Sequence, residues 1–511
     1  MDDNTPVIIG AGQVSERVGE PGYRERSPMD LAGDALAAAL ADAGAKRKLA
    51  PALDTIAAIR QFEISGTRFA PVFGCANNPP RAIGRRVGAN PARAILEIVG
   101  GQGPQRLLGE LAAEIAAGRS SMAAIVGAEA ISTTRALAAR GELRDWSETR
   151  RGTIEDRGYG HDGVYDAELL RYGAGTPIAS YALAENVRRE RLGLSLGDYR
   201  QEIGKLFAPF TKVAAANPHA AAPTQRSADE LAQLTERNRL VAEPYGRLVV
   251  SRDQVNQGAA IVLASAGEAR RLGVPESRWV HIHGVADCAE PSLLTRDSLE
   301  RSPAAISAIS SALELAEIGW EKLSATDLYS CFAIPVFNLL DAFGLDRDDP
   351  RGWTLTGGLP FFGGAGNNYS THAIAEAVAR CRAAPGSFAL VGANGGIMSK
   401  YAAGVYSTTP VDWSASRWKS VDKIKPQWRV VDAFDGEVTA ETFTIQPGKQ
   451  GEVATLVART VLRQAQDDRG ARVVANSSDP AICAELRKGK VAGRPARIED
   501  DGAGRNHFWF I

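Results

Sequence analysis

No stretch of the chain approaches ~18 consecutive apolar residues, so a membrane-spanning helix is not expected. Cysteine is scarce. Cys75, Cys288, Cys331, Cys381 and Cys483 are scattered with no CxxC pair, which argues against a disulfide framework and against a structural zinc site. Neither sign of charge is in excess: 59 Lys+Arg stand against 60 Asp+Glu, a net charge of −1. No long basic run is visible, so nucleic acid is not an expected partner. The opening MDDNTPVIIGAG has no basic segment followed by an apolar one, so no secretory signal is expected. The glycine-rich turns match neither GxxxxGK[ST] nor a GxGxxG with a downstream ribose acid. His281 and His283 alternate on a strand and share one face, but spacing places no further ligand beside them, and no metal is expected. What is present, 44% apolar and 23% charged residues, is globular, with length for roughly three domains. A cytoplasmic, multi-domain protein is the expectation.

Two distant segments read alike. ILEIVGGQGPQRLLGELAAEIAAGRSSMAAIVGAEA runs from Ile95 to Ala130, and LTGGLPFFGGAGNNYSTHAIAEAVARCRAAPGSFALVGANGG from Leu355 to Gly396. Each carries a Gly-Gly-x-Gly turn, at Gly100, Gly101 and Gly103 and at Gly363, Gly364 and Gly366. Each turn leads into an amphipathic helix. Leu107, Leu108, Leu111, Ala112 and Ile115 form the apolar stripe of the first, and Ala373, Ile374, Ala377, Val378 and Cys381 that of the second. Pro104 suits a first helical turn and Gly118 a helix end. Each copy closes on a β-branched strand, and each half opens with another, PVIIGAG near Val7 and WVHIHGVA near Val280. The pattern predicts two βα-rich halves with a glycine turn at a helix N-terminus in each.

Between the halves lies a long insertion of helical pattern, which returns through VVSRDQVNQGAAIVLAS to a buried strand. Such an insertion commonly covers the mouth of an α/β core. After Val411 the texture changes to short strand-like runs, WRVVDAF, GEVTAETFTIQ, EVATLVARTVL and ARVVANS, separated by turns such as Asp435-Gly436. They predict a separate small β-barrel of OB type, with a sandwich or a β extension of the core as the alternatives. The expected boundaries are 1–130, 131–278, 279–410 and 411–511.

Several of these segments resemble the thiolase superfamily, in particular its sterol-carrier-type, acetyl-CoA acetyltransferase-like branch. EIAAGRSSMAAIVGAEAIS, YALAENVRRERLGLSLGDYRQ, VVSRDQVNQGAAIVLAS, LYSCFAIPVF and FALVGANGG carry the likeness, in order over about the first 410 residues. The resemblance implies an α/β fold: a five-layered duplicated βαβ core with a loop domain, followed by the small C-terminal barrel. It also implies a coenzyme A (CoA) thioester as substrate or ligand, with no covalently bound cofactor, and either a homodimer or a monomer.

The residues that thiolase chemistry needs are missing from their places. The resemblance puts the nucleophile at or beside Gly101, the catalytic His at Gly364 and the second Cys near Gly392. Of the His-Asp-Cys-Phe motif it leaves Cys331 and Phe332, with Tyr329 and Ser330 ahead of them. Glycine cannot be acylated, so Cys331 becomes the candidate nucleophile and Tyr329 the candidate proton donor, each with a plain buried-core role as its alternative. The oxyanion-hole or CoA-binding candidates are Gly101, Gly103, Asn256, Gly258, Gly364, Asn367, Asn368 and Gly395, the turns through backbone N–H groups at helix N-termini. Helix capping is the commoner role for Asn367 and Asn368, and a capping or surface role for His372. Three functions stay open: a nonstandard acyltransferase on CoA thioesters, a retro-aldolase on β-hydroxyacyl-CoA using Tyr329, and a non-catalytic acyl-CoA-binding module.

Overall fold

The uninterrupted apolar runs become strands of one large sheet in the computed structural model, which describes residues 2–67, 70–460 and 470–511. From one edge the order is Leu323–Asp327, Phe388–Gly395, Lys400–Ser407, Val280–Ala289, Pro6–Ser15, Asn256–Ser265, Met122–Ala130, Thr55–Ala58, Arg93–Leu96 and Glu155–Asp156. Pro6–Ser15 meets Val280–Ala289 through Val7 opposite His281 and Ile8 opposite Val280, and this short seam divides the sheet into two halves. The halves repeat one another. Thr55–Ala58 runs parallel to Met122–Ala130, which is antiparallel to Asn256–Ser265, itself antiparallel to Pro6–Ser15; Leu323–Asp327, Phe388–Gly395, Lys400–Ser407 and Val280–Ala289 repeat that pattern in the same order.

The predicted repeat helices, Gly103–Ala116 and Tyr369–Ala383, touch each other and contact strands of both halves. They form a central layer. Helix Pro28–Asp42 covers the outer face of the first half and Pro303–Ala316 that of the second, which completes five layers. Both stripes read from the sequence are fully buried, and each large aliphatic side chain contributes about 1.5–3 kcal/mol. Pro104 lies in the first helical turn, and Gly118 has φ +71° just past the helix end. Gly109 permits close approach: a Cβ there would lie 2.9 Å from Trp418 Cγ and 2.8 Å from Val285 Cγ1. Trp418 belongs to Trp418–Ser420, a strand that returns from beyond the core to pair in parallel with Val280–Ala289. No helix among the described residues is long and apolar enough to cross a membrane.

The C-terminal segment is the expected small barrel. Gly436–Gly448, Gly451–Thr460, Ala471–Ser477, Pro495–Asp500 and Asn506–Phe510 close into a ring through the pair Asn476–His507. The final Val461 and Leu462 of the EVATLVARTVL run lie outside the described residues. The barrel has its own core of Phe443, Ile445, Leu456, Val473, Leu486 and Phe508. It docks through buried polar contacts. Asn186, on helix Pro177–Arg191 of the insertion, donates to the carbonyls of Glu243 and Phe443, both at 2.9 Å. Thr442 Oγ1 donates to Leu183 O at 2.7 Å. The buried Arg472 guanidinium donates to the carbonyls of Leu294, Arg296 and Asp297. An Asn186→Ala substitution withdraws the amide from buried carbonyls and is expected to cost about 1–3 kcal/mol. Urea denaturation checks it: a midpoint unchanged from the parent would mean that water replaces the amide without loss.

Candidate functional site

The two glycine turns meet across the central layer. The Gly100 N–H donates to Asn367 Oδ1 at 2.9 Å, and Asn367 Nδ2 donates to Arg60 O at 2.7 Å and Ser65 Oγ at 3.1 Å. Ser370 Oγ donates to Gly101 O at 2.6 Å. Asn368 Nδ2 donates to Gly127 O at 2.7 Å, and its Oδ1 accepts from Thr371. Neither asparagine side chain caps the helix that follows. The expected capping gives way to a tie between the halves, because both side chains are buried against backbone groups of the first half.

Gly101, Tyr329, Cys331 and Gly395 are brought together. A Cβ built on Gly101 would lie 2.6 Å from Tyr329 Cζ and 2.6 Å from Asn394 O, with the phenol hydroxyl closer still. The space that a side chain at 101 would occupy is therefore filled by Tyr329. That ring packs edge-on to Tyr369, 5.1 Å between centroids, and Tyr369 in turn bonds Thr356 and the buried Asp327. Gly395 is covered by Gln102, whose Cδ would lie 2.9 Å from a Cβ there. The Cys331 thiol is buried, with Asn394 Nδ2 at 3.6 Å. Asn394 also donates to Tyr181 Oη at 2.8 Å, and Tyr181 stacks on Phe332 at 4.4 Å.

The remaining candidates are placed apart or already occupied. A Cβ on Gly364 would lie 2.8 Å from the rotatable Ser251 Oγ and 3.2 Å from Arg252 O, so the position that the resemblance assigns to the catalytic His is tight. The Gly364 N–H donates to Arg252 O, Gly366 N–H to Gly364 O, Asn368 N–H to Ala365 O, and Gly103 N–H to Gly100 O. These amides, with that of Gly100, are spent inside the protein. Asn256 does not join the site: its Oδ1 accepts from Thr133 N at 2.8 Å, and its Nδ2 donates to Glu16 O. Gly258 does not either. It lies under helix Pro28–Asp42 on the outer face, where a Cβ would come 2.8 Å from Leu31 O. His372 is fully buried rather than on the surface, its Nδ1 2.8 Å from Gln13 Oε1 and its Nε2 unpartnered.

Electrostatics agree with closure. Burial pushes the Cys331 thiol up to about 11, so the thiolate fraction at neutral pH is on the order of one in ten thousand. Burial, then Cys331 and Asp327, hold the Tyr329 phenol well above its ordinary value. Burial drives His372 down to about 3. Glu129 and Tyr181 are residues that sequence reasoning passed over, although both stood in quoted segments. Glu129 accepts from Phe62 N at 2.7 Å and lies against Gly366, and burial raises it to about 8.

No family model matches the chain, and no curated protein does. Solved structures do. A monomeric SCP2-thiolase-like protein type 1 (STLP1) from Mycobacterium smegmatis is 41% identical over 100% of both chains, with a TM-score of 0.83. The chain belongs to the SCP2-thiolase-like proteins. An Ltp2-ChsH2(DUF35) aldolase is 19% identical, covering 79% of this chain and 98% of its own, with a TM-score of 0.57. Human mitochondrial 3-ketoacyl-CoA thiolase, solved in complex with CoA, is 16% identical over 79% and 98%, with a TM-score of 0.53. The latter two share the fold of this SCP2-thiolase-like protein.

Beside Gly364 this SCP2-thiolase-like protein carries a depression of about 120 Å³ lined by Arg226, Arg247, Ser251, Arg252 and Phe361. Arg226 faces Glu230 loosely at 3.8 Å, and Asp253 is engaged by Arg135 at 2.7 Å. Among the described residues Arg247 and Arg252 form no ion pair. Burial and then the Arg247 charge push Arg252 below its ordinary value. Crowded guanidinium groups of this kind are stabilised by an anion.

Two outcomes follow for this site. Gly101→Cys and Gly364→His, singly or together, should yield no thiolysis of acetoacetyl-CoA and should cost about 1–3 kcal/mol each through overpacking. Recovered thiolase turnover in the double variant would contradict the closure described here. The second outcome concerns Glu129, whose carboxyl ionises near 4.5 in the unfolded chain but near 8 when folded. Its contribution is present at low pH and is lost as pH rises through that window, because only the unfolded state gains by ionising. Above pH 6.5 the buried histidines no longer oppose this trend. Glu129→Gln should therefore flatten the fall in urea stability between pH 6.5 and 8, and identical slopes in parent and variant would refute the assignment.

Proposed function

We propose that the protein binds a CoA thioester without forming a covalent acyl-enzyme. The observation that carries this reading is the Tyr329 ring filling the place of a side chain at residue 101. Acyl transfer through Cys331 would need a thiolate, and burial keeps that thiol protonated at neutral pH. Retro-aldol cleavage would need Tyr329 to accept the β-hydroxyl proton, and its raised pKa argues against a base there. The donors that would hold a developing enolate at the turns are largely engaged within the protein.

Binding is supported by the arginine cluster next to Gly364. CoA carries phosphates at one end, and Arg247 and Arg252 offer guanidinium donors with no ion-paired carboxylate among the described residues. The CoA complex of the human thiolase, a neighbour in fold, supports the same ligand class. The barrel, with five strands in a ring and helix Pro480–Lys488 between the third and fourth, is read as OB-like; it packs against helix Pro177–Arg191 of the insertion.

Calorimetry with CoA and acetoacetyl-CoA, run beside thiolysis and β-hydroxyacyl-CoA cleavage assays, tests the proposal. Saturable binding with no product is expected. Affinity should fall as salt is raised and should drop about tenfold or more in Arg247→Glu/Arg252→Glu. Turnover in either assay, or binding indifferent to the charge reversal, would overturn it.

A further inference from the structure

A cavity of about 820 Å³ opens against the second repeat helix. Its walls come from the later half of helix Leu196–Ala216, the loop at residues 349–355, and the face of Tyr369–Ala383 that carries Glu376 and Arg380. Glu376 and Arg380 stand eight and twelve residues beyond Asn368, about 12 and 18 Å along a helix at 1.5 Å per residue. The volume falls within the roughly 300–1,000 Å³ typical of small-molecule sites.

The cavity is preformed. The half-buried Val213 and Leu355 and the exposed Pro350 present apolar surface to it, and the buried rings of Phe210 and Trp353 back that wall. Trp353 is held by its indole N–H, which donates to the carbonyls of Asp346 and Arg347 at 3.1 Å each. Arg351 pins the loop, since its guanidinium bonds the Asp349 carboxylate and the carbonyls of Trp320 and Leu323.

Charge in this cavity is lopsided. Of its two carboxylates, Asp349 is engaged by Arg351, and Glu376 Oε1 accepts from Gln13 and Asn217, both at 2.9 Å. Burial raises the Glu376 carboxyl, which Arg380 one turn later partly offsets. Lys212 and Arg380 are exposed at the rim and form no ion pair among the described residues. An apolar wall of Val213, Pro350 and Leu355 beside two unpaired cations suits a ligand with one anionic end and an apolar body.

We infer that this cavity is a second ligand site for an amphipathic carboxylate, its alkyl or ring body against Val213, Pro350 and Leu355 and its carboxylate between Lys212 and Arg380. The site is independent of the CoA-thioester reading, because it shares no lining residue with the arginine depression.

Calorimetry of the full chain with decanoate, with 1-naphthaleneacetate and with uncharged decanol tests it, below the micelle concentration. Saturable binding of at least one carboxylate is expected, about tenfold tighter than decanol. It should weaken about tenfold or more in Lys212→Glu/Arg380→Glu, while CoA affinity changes less than about twofold. Both substituted side chains are exposed, and circular dichroism verifies that the variant is folded. Lack of saturable binding by both carboxylates overturns the inference, as does binding that survives the charge reversal or that decanol matches. Loss of CoA binding alone would bear only on the other site.

Discussion

The contact on which the structure turns is the Asn367 carboxamide, held between the two halves. Its oxygen takes the Gly100 amide, and its nitrogen reaches Arg60 and Ser65. One buried side chain thus fixes the first turn relative to the second. A buried amide bonded at both ends is stable where a half-satisfied one would be costly. The same tie has a chemical cost: it consumes an N–H that a catalytic turn would aim at substrate. Tyr329 takes up the remaining space, so the glycine at 101 is walled in as well as without a side chain.

Much of the fold was legible because hydrophobic period and turn chemistry agree. The stripes at Leu107–Ile115 and Ala373–Cys381 could be placed on helices, since all their members face one way. The glycine turns could be placed at the helix starts. The closing of the C-terminal strands into a ring was legible only as composition. Ring closure depends on Asn506–Phe510 meeting Ala471–Ser477, a long-range pairing that no local pattern encodes.

The site was legible in part. Gly101 lies with Tyr329, Cys331 and Gly395 because it opens helix Gly103–Ala116, which meets strand Phe388–Gly395, while Tyr329 and Cys331 follow the adjacent strand Leu323–Asp327. Asn256 and Gly258 stood in an equally suggestive turn but serve the outer layer, and the direction of a strand residue cannot be read from its type. Asn394, Tyr181 and Glu129 went unremarked for the opposite reason. Their importance lies in partners hundreds of positions away or in burial itself, and neither leaves a periodic trace.

Arg472 has a consequence for how such a chain can change over time. A guanidinium that reaches from the barrel to three carbonyls at 294–297 has no water to fall back on. Exchanging the barrel for an unrelated module would strand those acceptors, so that short stretch of the core must be inherited together with its appendage. Core and barrel are in this sense one hereditary unit, joined by that cation together with the Asn186 and Thr442 contacts.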